Sequence, residues 1–166
     1  MDLLFYIAAA VSVVATIRVI THFHAVHALL YLIVMLLSLA IIFFLLGAPF
    51  AAALEIIIYA GAIMVLFVFV IMLLNQGPLT VNQEQAWLRP RMWLGPSILA
   101  LALLGVVGFI LLSSDQPFIE SMPVGPKDVS ISLYGPYVIA LELASMLLLP
   151  GLIGAYHLGR RLKERP

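Results

Sequence analysis

The sequence predicts an all-α integral membrane protein with five transmembrane helices. Of its 166 residues, 64% are hydrophobic and only 10% are charged, and the mean hydropathy is +1.19. Typical soluble domains are about half apolar and about a quarter charged. Because so few charges could not cover so much apolar surface in water, the excess must face lipid or other protein. Five separate segments, moreover, are long enough to cross a bilayer.

A membrane-spanning helix needs about 20 mostly apolar residues, because about 30 Å of hydrocarbon is crossed at about 1.5 Å per residue. The segments that meet this requirement are Leu3–Thr21, His27–Leu46, Leu54–Leu74, Leu94–Ser113 and Tyr134–Leu158. We expect them to form a single membrane domain over residues 1–166. The first is interpreted as a retained span and not a signal peptide, because Asp2 stands where a signal peptide carries positive charge. The proline-containing segment Asp115–Ser132 is predicted to be an extramembrane loop.

The placement of lysine and arginine predicts the orientation in the membrane, since cytoplasmic loops are enriched in these residues. An external N-terminus leaves only Lys127 outside. It brings all the other basic residues to the cytoplasmic side: Arg18, Arg89, Arg91, Arg160, Arg161, Lys163 and Arg165. We therefore expect the N-terminus outside and the C-terminus in the cytoplasm.

The composition also excludes several kinds of chemistry for this chain. It contains no cysteine, which excludes disulfides, iron–sulfur ligation and thiolate catalysis within it. Acidic and basic residues are equal in number, so nothing suggests nucleic-acid binding. No phosphate-binding glycine motif, hydrolase nucleophile motif or nicotinamide fingerprint is present. We expect no catalytic residue, no bound cofactor and no metal site in this chain.

Four histidines are candidate ligands. His22, His24 and His27 lie around the first predicted cytoplasmic loop, and His157 lies at the same predicted side of the membrane. Neutral imidazole is a good ligand, so a bis-histidine haem or a metal site is conceivable. Polar loop residues at a span boundary are the simpler interpretation, and a Soret band would decide for haem.

Two acidic residues fall inside predicted spans, Glu55 and Glu142. An ionisable group within the membrane is costly, so each is a candidate for a functional role. Glu55 begins the third predicted span and could also be an interfacial acid. Glu142 lies about 12 Å into the fifth at the usual helical rise. It could belong to a polar path or interface, or it could be a neutral acid that only packs, with Ser145 as a local polar companion.

The third predicted span has a distinctive middle, from Glu55 to Val65. Tyr59 follows Glu55 by one turn, so its hydroxyl can point towards the carboxylate. The run Ala60-Gly61-Ala62 leaves the backbone uncovered, which permits either close helix packing or a local change of hydrogen-bond register. In the fifth span, Pro150 removes one backbone hydrogen bond and predicts a kink.

Several stretches resemble the J subunits of bacterial NADH:quinone oxidoreductase, the membrane chain of respiratory complex I that is equivalent to the mitochondrially encoded chain 6. The most specific stretch is Leu54-Glu-Ile-Ile-Ile-Tyr-Ala-Gly-Ala-Ile-Met-Val-Leu-Phe-Val-Phe-Val70. The supporting stretches are Arg18-Val-Ile-Thr-His22, Val26-His-Ala-Leu-Leu-Tyr-Leu32, Trp87-Leu-Arg-Pro90, Gly135-Pro-Tyr137 and Glu142-Leu-Ala-Ser-Met146. The resemblance covers nearly the whole chain.

The resemblance implies a non-catalytic subunit of a proton-translocating enzyme in the bacterial inner membrane. Flavin, iron–sulfur clusters and quinone would be held by partner subunits, and the implied neighbours are the A, H and K subunits with the antiporter-like chains beyond. It further implies a third helix that converts between π and α geometry and thereby couples quinone reduction to proton pumping. Tyr59, Gly61 and Val65 would form the hinge, with Glu55 and Glu142 as polar groups.

Two other functions stay open at this point. The chain could be a structural scaffold that fills space between helices without switching. It could also be a free-standing ion carrier, although it has no basic residue within a span and no internal repeat. Transport by the purified chain alone in liposomes would distinguish a carrier from both other functions.

Overall fold

A computed structural model describes residues 2–22, 25–74, 90–112 and 123–159, and within these ranges the chain is helical and contains no strand. The elements are α1 (Asp2–Thr21), α2 (Ala25–Leu45), α3 (Pro49–Leu54), a π-helical segment (Glu55–Ile63), α4 (Met64–Leu74), α5 (Pro90–Leu112), α6 (Pro126–Tyr134) and α7 (Val138–Gly159). We call α3, the π segment and α4 together the third helix. Five of the described helices are long and apolar enough to cross a membrane, which confirms the predicted fold class.

The chain divides into two compact units, Met1–Val124 and Gly125–Pro166. In the first unit α1 and α2 form an extensive antiparallel pair. The small residues Ala8 and Ala15 are fully buried, one on each side of the buried Val11, so the two backbones approach closely. A core of Val11, Ala15, Val34 and Leu103 joins this pair to α5.

A tight turn connects α2 to the third helix. Gly47 has a φ of 81°, a left-handed conformation that glycine adopts without steric cost. The Gly47 amide donates to the Phe44 carbonyl at 3.1 Å, and the Ala48 amide donates to the Phe43 carbonyl at 2.9 Å. These two bonds satisfy the last carbonyls of α2. Pro49 then begins α3, at a position where its missing amide hydrogen is not needed.

The third helix begins five residues earlier than predicted, at Pro49 and not at Leu54. The predicted bounds placed Pro49 in the connection between the second and third spans, but a proline at the first helical position favours a helix start. Glu55 therefore lies well inside the helix and is only 9% exposed, not at its end.

The second unit contains α6 and α7. Residues 123–132 of the predicted extramembrane loop are described, and most of them form α6; residues 115–122 lie outside the described part. Pro126 opens α6, and the Gly125 amide donates to the Asp128 carboxylate at 3.1 Å. The sequence interpretation counted the prolines as loop markers and overlooked that one of them starts a helix. Helix α7 contains Pro150 in its interior, and the kink expected at that residue stays a prediction. The orientation of the chain in the membrane and its organisation as a single membrane domain stay predictions as well.

Candidate functional site

The third helix changes its hydrogen-bond register along its length. The Glu55 amide donates to the Ala51 carbonyl, four residues back, as in an α-helix. The Met64 amide donates to the Tyr59 carbonyl, five residues back, and shares this donation with the Gly61 carbonyl. Helices with the longer register are rare, and many of those that exist lie at functional sites. The segment between these two amides therefore holds one extra residue relative to an α-helix.

Gly61 lies within the π segment, and its own helix crowds it. A Cβ atom added at Gly61 would lie 3.2 Å from the Ile56 carbonyl oxygen, and no other atom outside its immediate helical backbone lies within 4 Å of it in the described part. The close atom belongs to the residue five positions back, so it is a consequence of the π register. Within the described residues, close packing against a neighbouring helix does not account for this glycine.

The other hinge residues differ in their surroundings. Tyr59 lies in the π segment and is 51% exposed, whereas Val65 lies one residue into the regular helix α4. Glu55 is the first residue of the π segment. The Tyr59 hydroxyl, which the sequence allows to point towards the Glu55 carboxylate, forms no hydrogen bond with it in the described part of the chain. The hinge role of these residues stays a prediction.

Met64, which the sequence interpretation did not single out, is the buried residue at the end of the π segment. It is 2% exposed, while its neighbours in α4 are largely exposed. Beside it lies an apolar cavity of about 210 Å³ that is open to the surface and lined mainly by the third helix. Its lining residues are Ile33, Ala60, Met64, Val65, Val68, Phe69 and Met72. In sequence, Met64 is one apolar residue among many, so only its burial distinguishes it.

Two described histidines contact each other at the other end of α2. The rings of His22 and His27 are stacked with centroids 5.4 Å apart, and the Tyr31 ring lies 5.9 Å from that of His22. His27 is a buried residue of α2 and not a loop residue. No group of three potential metal ligands is present in the described part of the chain. His24 lies outside the described residues.

Glu142 is in α7, in the second unit. The nearby Ser145 hydroxyl donates to the Leu141 carbonyl at 3.0 Å and is thereby engaged by its own helix. Among the described residues of this unit, no side chain donates a hydrogen bond to the Glu142 carboxylate. The role of Glu142 in a polar path or interface stays a prediction.

Comparison with known proteins decides the family. The model of the family described as NADH-ubiquinone/plastoquinone oxidoreductase chain 6 matches residues 15–158. The chain belongs to this family. It is 59% identical over 162 residues to NADH-quinone oxidoreductase subunit J of Pseudomonas aeruginosa, which covers 97% of this chain and 98% of that protein. It is 54% identical over 160 residues to the subunit J of Escherichia coli strain K12, covering 96% and 87%.

Membership of the chain 6 family confirms the resemblance seen in the sequence. The chain is a multi-pass membrane subunit of NADH-quinone oxidoreductase, in the membrane arm of complex I, and its partners are other subunits of that complex. A more distant relative, subunit J of Buchnera aphidicola subsp. Schizaphis graminum, is 45% identical over 163 residues and covers 98% of this chain and all of that protein. The similarity thus extends across the π segment and the cavity beside it.

Proposed function

We propose that this chain couples quinone reduction to proton translocation by interconverting its third helix between π and α registers. The observation that carries the proposal is the change of register between the amides of Glu55 and Met64. A π segment persists only where its surroundings hold it, because its geometry is less favourable than that of an α-helix. Such a segment is a natural element for two alternative states.

Gly61 supports this proposal because its missing side chain favours the π register. With a Cβ atom at 3.2 Å from the Ile56 carbonyl oxygen, any other residue would have to push that carbonyl away. In an α-helix, alanine is preferred over glycine by up to about 1 kcal/mol. A side chain at position 61 therefore opposes the π state and favours the α state, and both effects shift the equilibrium in the same direction.

Glu55 and Glu142 are the proposed polar groups of a proton path. Glu55 is buried where the register changes, so a conversion there would alter the surroundings of its carboxylate. Glu142 is the acidic residue inside the apolar helix α7. An acidic residue within the membrane costs free energy of insertion. Such a residue usually takes part in proton transfer or binds a polar partner.

We further propose that this chain holds no cofactor and performs no redox chemistry itself. Flavin, iron–sulfur clusters and quinone would lie in partner subunits, with the A, H and K types as neighbours, in a bacterial inner membrane. The lack of cysteine supports the part concerning iron–sulfur clusters. With the N-terminus outside, a phosphatase reporter fused after Arg165 should be inactive; full periplasmic activity of that fusion would refute the orientation.

Substitution of Gly61 tests the register switch in the assembled complex. Gly61→Leu should assemble but slow quinone reduction and proton transfer together, because it damages gating and not chemistry. The matched control is Gly105→Leu in α5, where an added Cβ atom meets nothing within 4 Å in the described part. The quantity to measure is activity per assembled complex, with the amount of complex determined on the same membranes.

The scaffold function makes the opposite forecast for the same variant. If Gly61 only allows close packing against another subunit, Gly61→Leu lowers the amount of complex while each remaining complex works at the wild-type rate. That result would refute the switch. An equal loss in the Gly105→Leu control would show that bulk in any span is harmful and would refute it as well.

A further inference from the structure

We infer that one end of the α1–α2 pair binds the ammonium head group of a zwitterionic phospholipid, phosphatidylethanolamine. The site is a cavity of about 300 Å³, lined by Asp2, Phe5, Tyr6, Leu45 and Leu46. None of these residues lies in the third helix, so the inference does not depend on the register switch. The lipid would be a bound component of the complex and not part of the freely exchanging bilayer.

The cavity lies at a boundary of the membrane-spanning part of the chain. Helix α1 begins at Asp2 and α2 ends at Leu45, and both helices are long and apolar enough to cross a membrane. Phospholipid head groups occupy the layer just outside the hydrocarbon core, where such helices end. Tyrosine, here Tyr6, is enriched in the same layer. The head groups of the surrounding lipids are therefore within reach of this cavity.

The three lining residues of α1 share one face of that helix. Phe5 and Tyr6 follow Asp2 by three and four residues, which places them one turn further along on the same side. Their ring centroids lie 5.8 Å apart, and the ring planes meet at 78°. Tyr6 is 68% exposed, so its ring is open to a ligand. The two rings form an aromatic corner one turn from the Asp2 carboxylate.

The chemistry of this corner selects a cation. Asp2 is the charged residue of the lining, and none of the described residues that line the cavity is basic. A carboxylate accepts strong, charge-assisted hydrogen bonds from an ammonium group. The faces of aromatic rings also attract a cation, through the negative charge of the ring face. A head group with an ammonium therefore complements this lining, whereas an anionic head group without one is repelled by Asp2.

The α2 side of the cavity is apolar and favours a lipid over a soluble cation. Leu45 and Leu46 form this side, and Leu46 is 61% exposed. A small soluble ammonium ion would leave both leucines uncovered, whereas a lipid brings a polar head and apolar chains together. A water molecule occupies about 30 Å³ of liquid, so the cavity holds roughly ten groups of that size. This space accommodates the ethanolamine and phosphate groups, while the acyl chains lie in the bilayer.

A head group in this cavity would brace the α1–α2 pair. It would contact the first turn of α1 and the last residues of α2, and Leu46 directly precedes the tight turn at Gly47. A ligand that binds only the folded state stabilises that state. We therefore expect phosphatidylethanolamine to raise the thermal stability of the complex above that in phosphatidylglycerol, which has the same phosphate but no ammonium.

Photolabelling of the assembled complex tests the site directly. The complex is reconstituted in phosphatidylglycerol vesicles that contain a trace of phosphatidylethanolamine with a diazirine near the start of one acyl chain. A parallel sample contains phosphatidylglycerol with the same diazirine chain. Mass spectrometry should find adducts on the peptide containing Leu45 and Leu46, and phosphatidylethanolamine should label it more strongly by about fivefold.

Conservative and disruptive variants of the two recognition residues provide matched pairs. Asp2→Asn and Tyr6→Leu should abolish the preference for phosphatidylethanolamine. Asp2→Glu, which keeps the carboxylate, and Tyr6→Phe, which keeps the ring, should retain it. An acid in the first turn of a helix also interacts favourably with the helix dipole. If Asp2→Asn lowers thermal stability equally in both lipids and leaves the preference intact, Asp2 has only that role and the inference is wrong.

Three further outcomes would overturn the inference. Equal labelling of the natural chain by the two lipids would show that the ammonium is not recognised. The absence of any adduct on the peptide containing Leu45 and Leu46 would show that another occupant, such as a basic side chain of a partner subunit, fills the cavity. Loss of labelling in an excess of soluble ethanolamine would show that the site takes a soluble cation and not a lipid; we expect labelling to persist.

Discussion

The α1–α2 pair and the third helix are neighbours in one unit, yet they are held very differently. Six of the 21 residues of α2 are buried within the chain, against three of the 26 residues of the third helix from Pro49 to Leu74. Ser38 of α2 is fully buried, and its hydroxyl donates to the Met35 carbonyl at 2.7 Å. Helix α2, which is α-helical throughout, packs against several other helices. The third helix, which contains the π segment, contacts mainly α2.

This difference assigns separate tasks to the two regions. Elements with few buried contacts open or rearrange at low free energy, and moving parts of proteins are drawn from them. The α1–α2 pair and α5 share a buried core and form a fixed frame. The third helix has a single fully buried side chain, Met64, at the end of its π segment. A bulky substitution in the frame should therefore lower the amount of assembled complex. A bulky substitution in the third helix should instead lower the turnover of each assembled complex.

The largest effect on assembly is expected at Gly95, where α5 meets α2. A Cβ atom added at Gly95 would overlap the Tyr31 hydroxyl, while the ring carbon Cζ would lie 3.1 Å away. Gly95→Ala should destabilise the frame by about 1–3 kcal/mol, the usual cost of overpacking, and should lower the amount of complex. Thermal unfolding of the complex and its yield from membranes measure this effect.

A second substitution tests the geometry of the same contact. Tyr31→Phe removes the overlapping hydroxyl oxygen. The remaining ring then has to move by only a few tenths of an ångström to accept a Cβ atom at position 95. In the Gly95→Ala background it should restore much of the lost complex, although alone it should change little. A double variant no better than Gly95→Ala would contradict the predicted contact.

Glu142 extends the comparison to α7 in the second unit. Glu142→Ala leaves a void and deprives any partner of a hydrogen bond, at a cost of about 1–3 kcal/mol. Glu142→Gln keeps the shape and a polar head group and should be better tolerated in both the amount of complex and proton pumping. Equal and severe loss of pumping in both variants, with normal assembly, would show instead that ionisation at this position is required.

The smallest effect is expected from a single methyl group in the third helix. Gly61→Ala should shift the register by up to about 1 kcal/mol towards the α state and slow each complex by at most a fewfold. Gly105→Ala adds the same methyl in open space and should leave the rate unchanged. If the two variants lower the rate equally, the crowding against the Ile56 carbonyl does not matter for turnover.

The sequence alone determined the five spans and the family, because both depend on properties that need no tertiary contact. Twenty apolar residues in a row predict a span whatever surrounds them. The stretch from Leu54 to Val70 is specific enough to identify the family. The start of the third helix at Pro49 and the helix α6 were missed for a common reason. A proline ends some elements and begins others, and only the backbone hydrogen bonds on each side decide which.

The tertiary structure alone decided which apolar residues matter. Met64 and Val65 are equally apolar and adjacent in sequence, but Met64 is buried and Val65 is half exposed. Tyr31 and Gly95 are far apart in the chain, and nothing in either segment predicts that a hydroxyl lies over a glycine backbone. In a membrane helix nearly every residue is apolar, so polarity no longer distinguishes core from surface as it does in water. Burial then depends on which helices pack together, and that information is held in three dimensions.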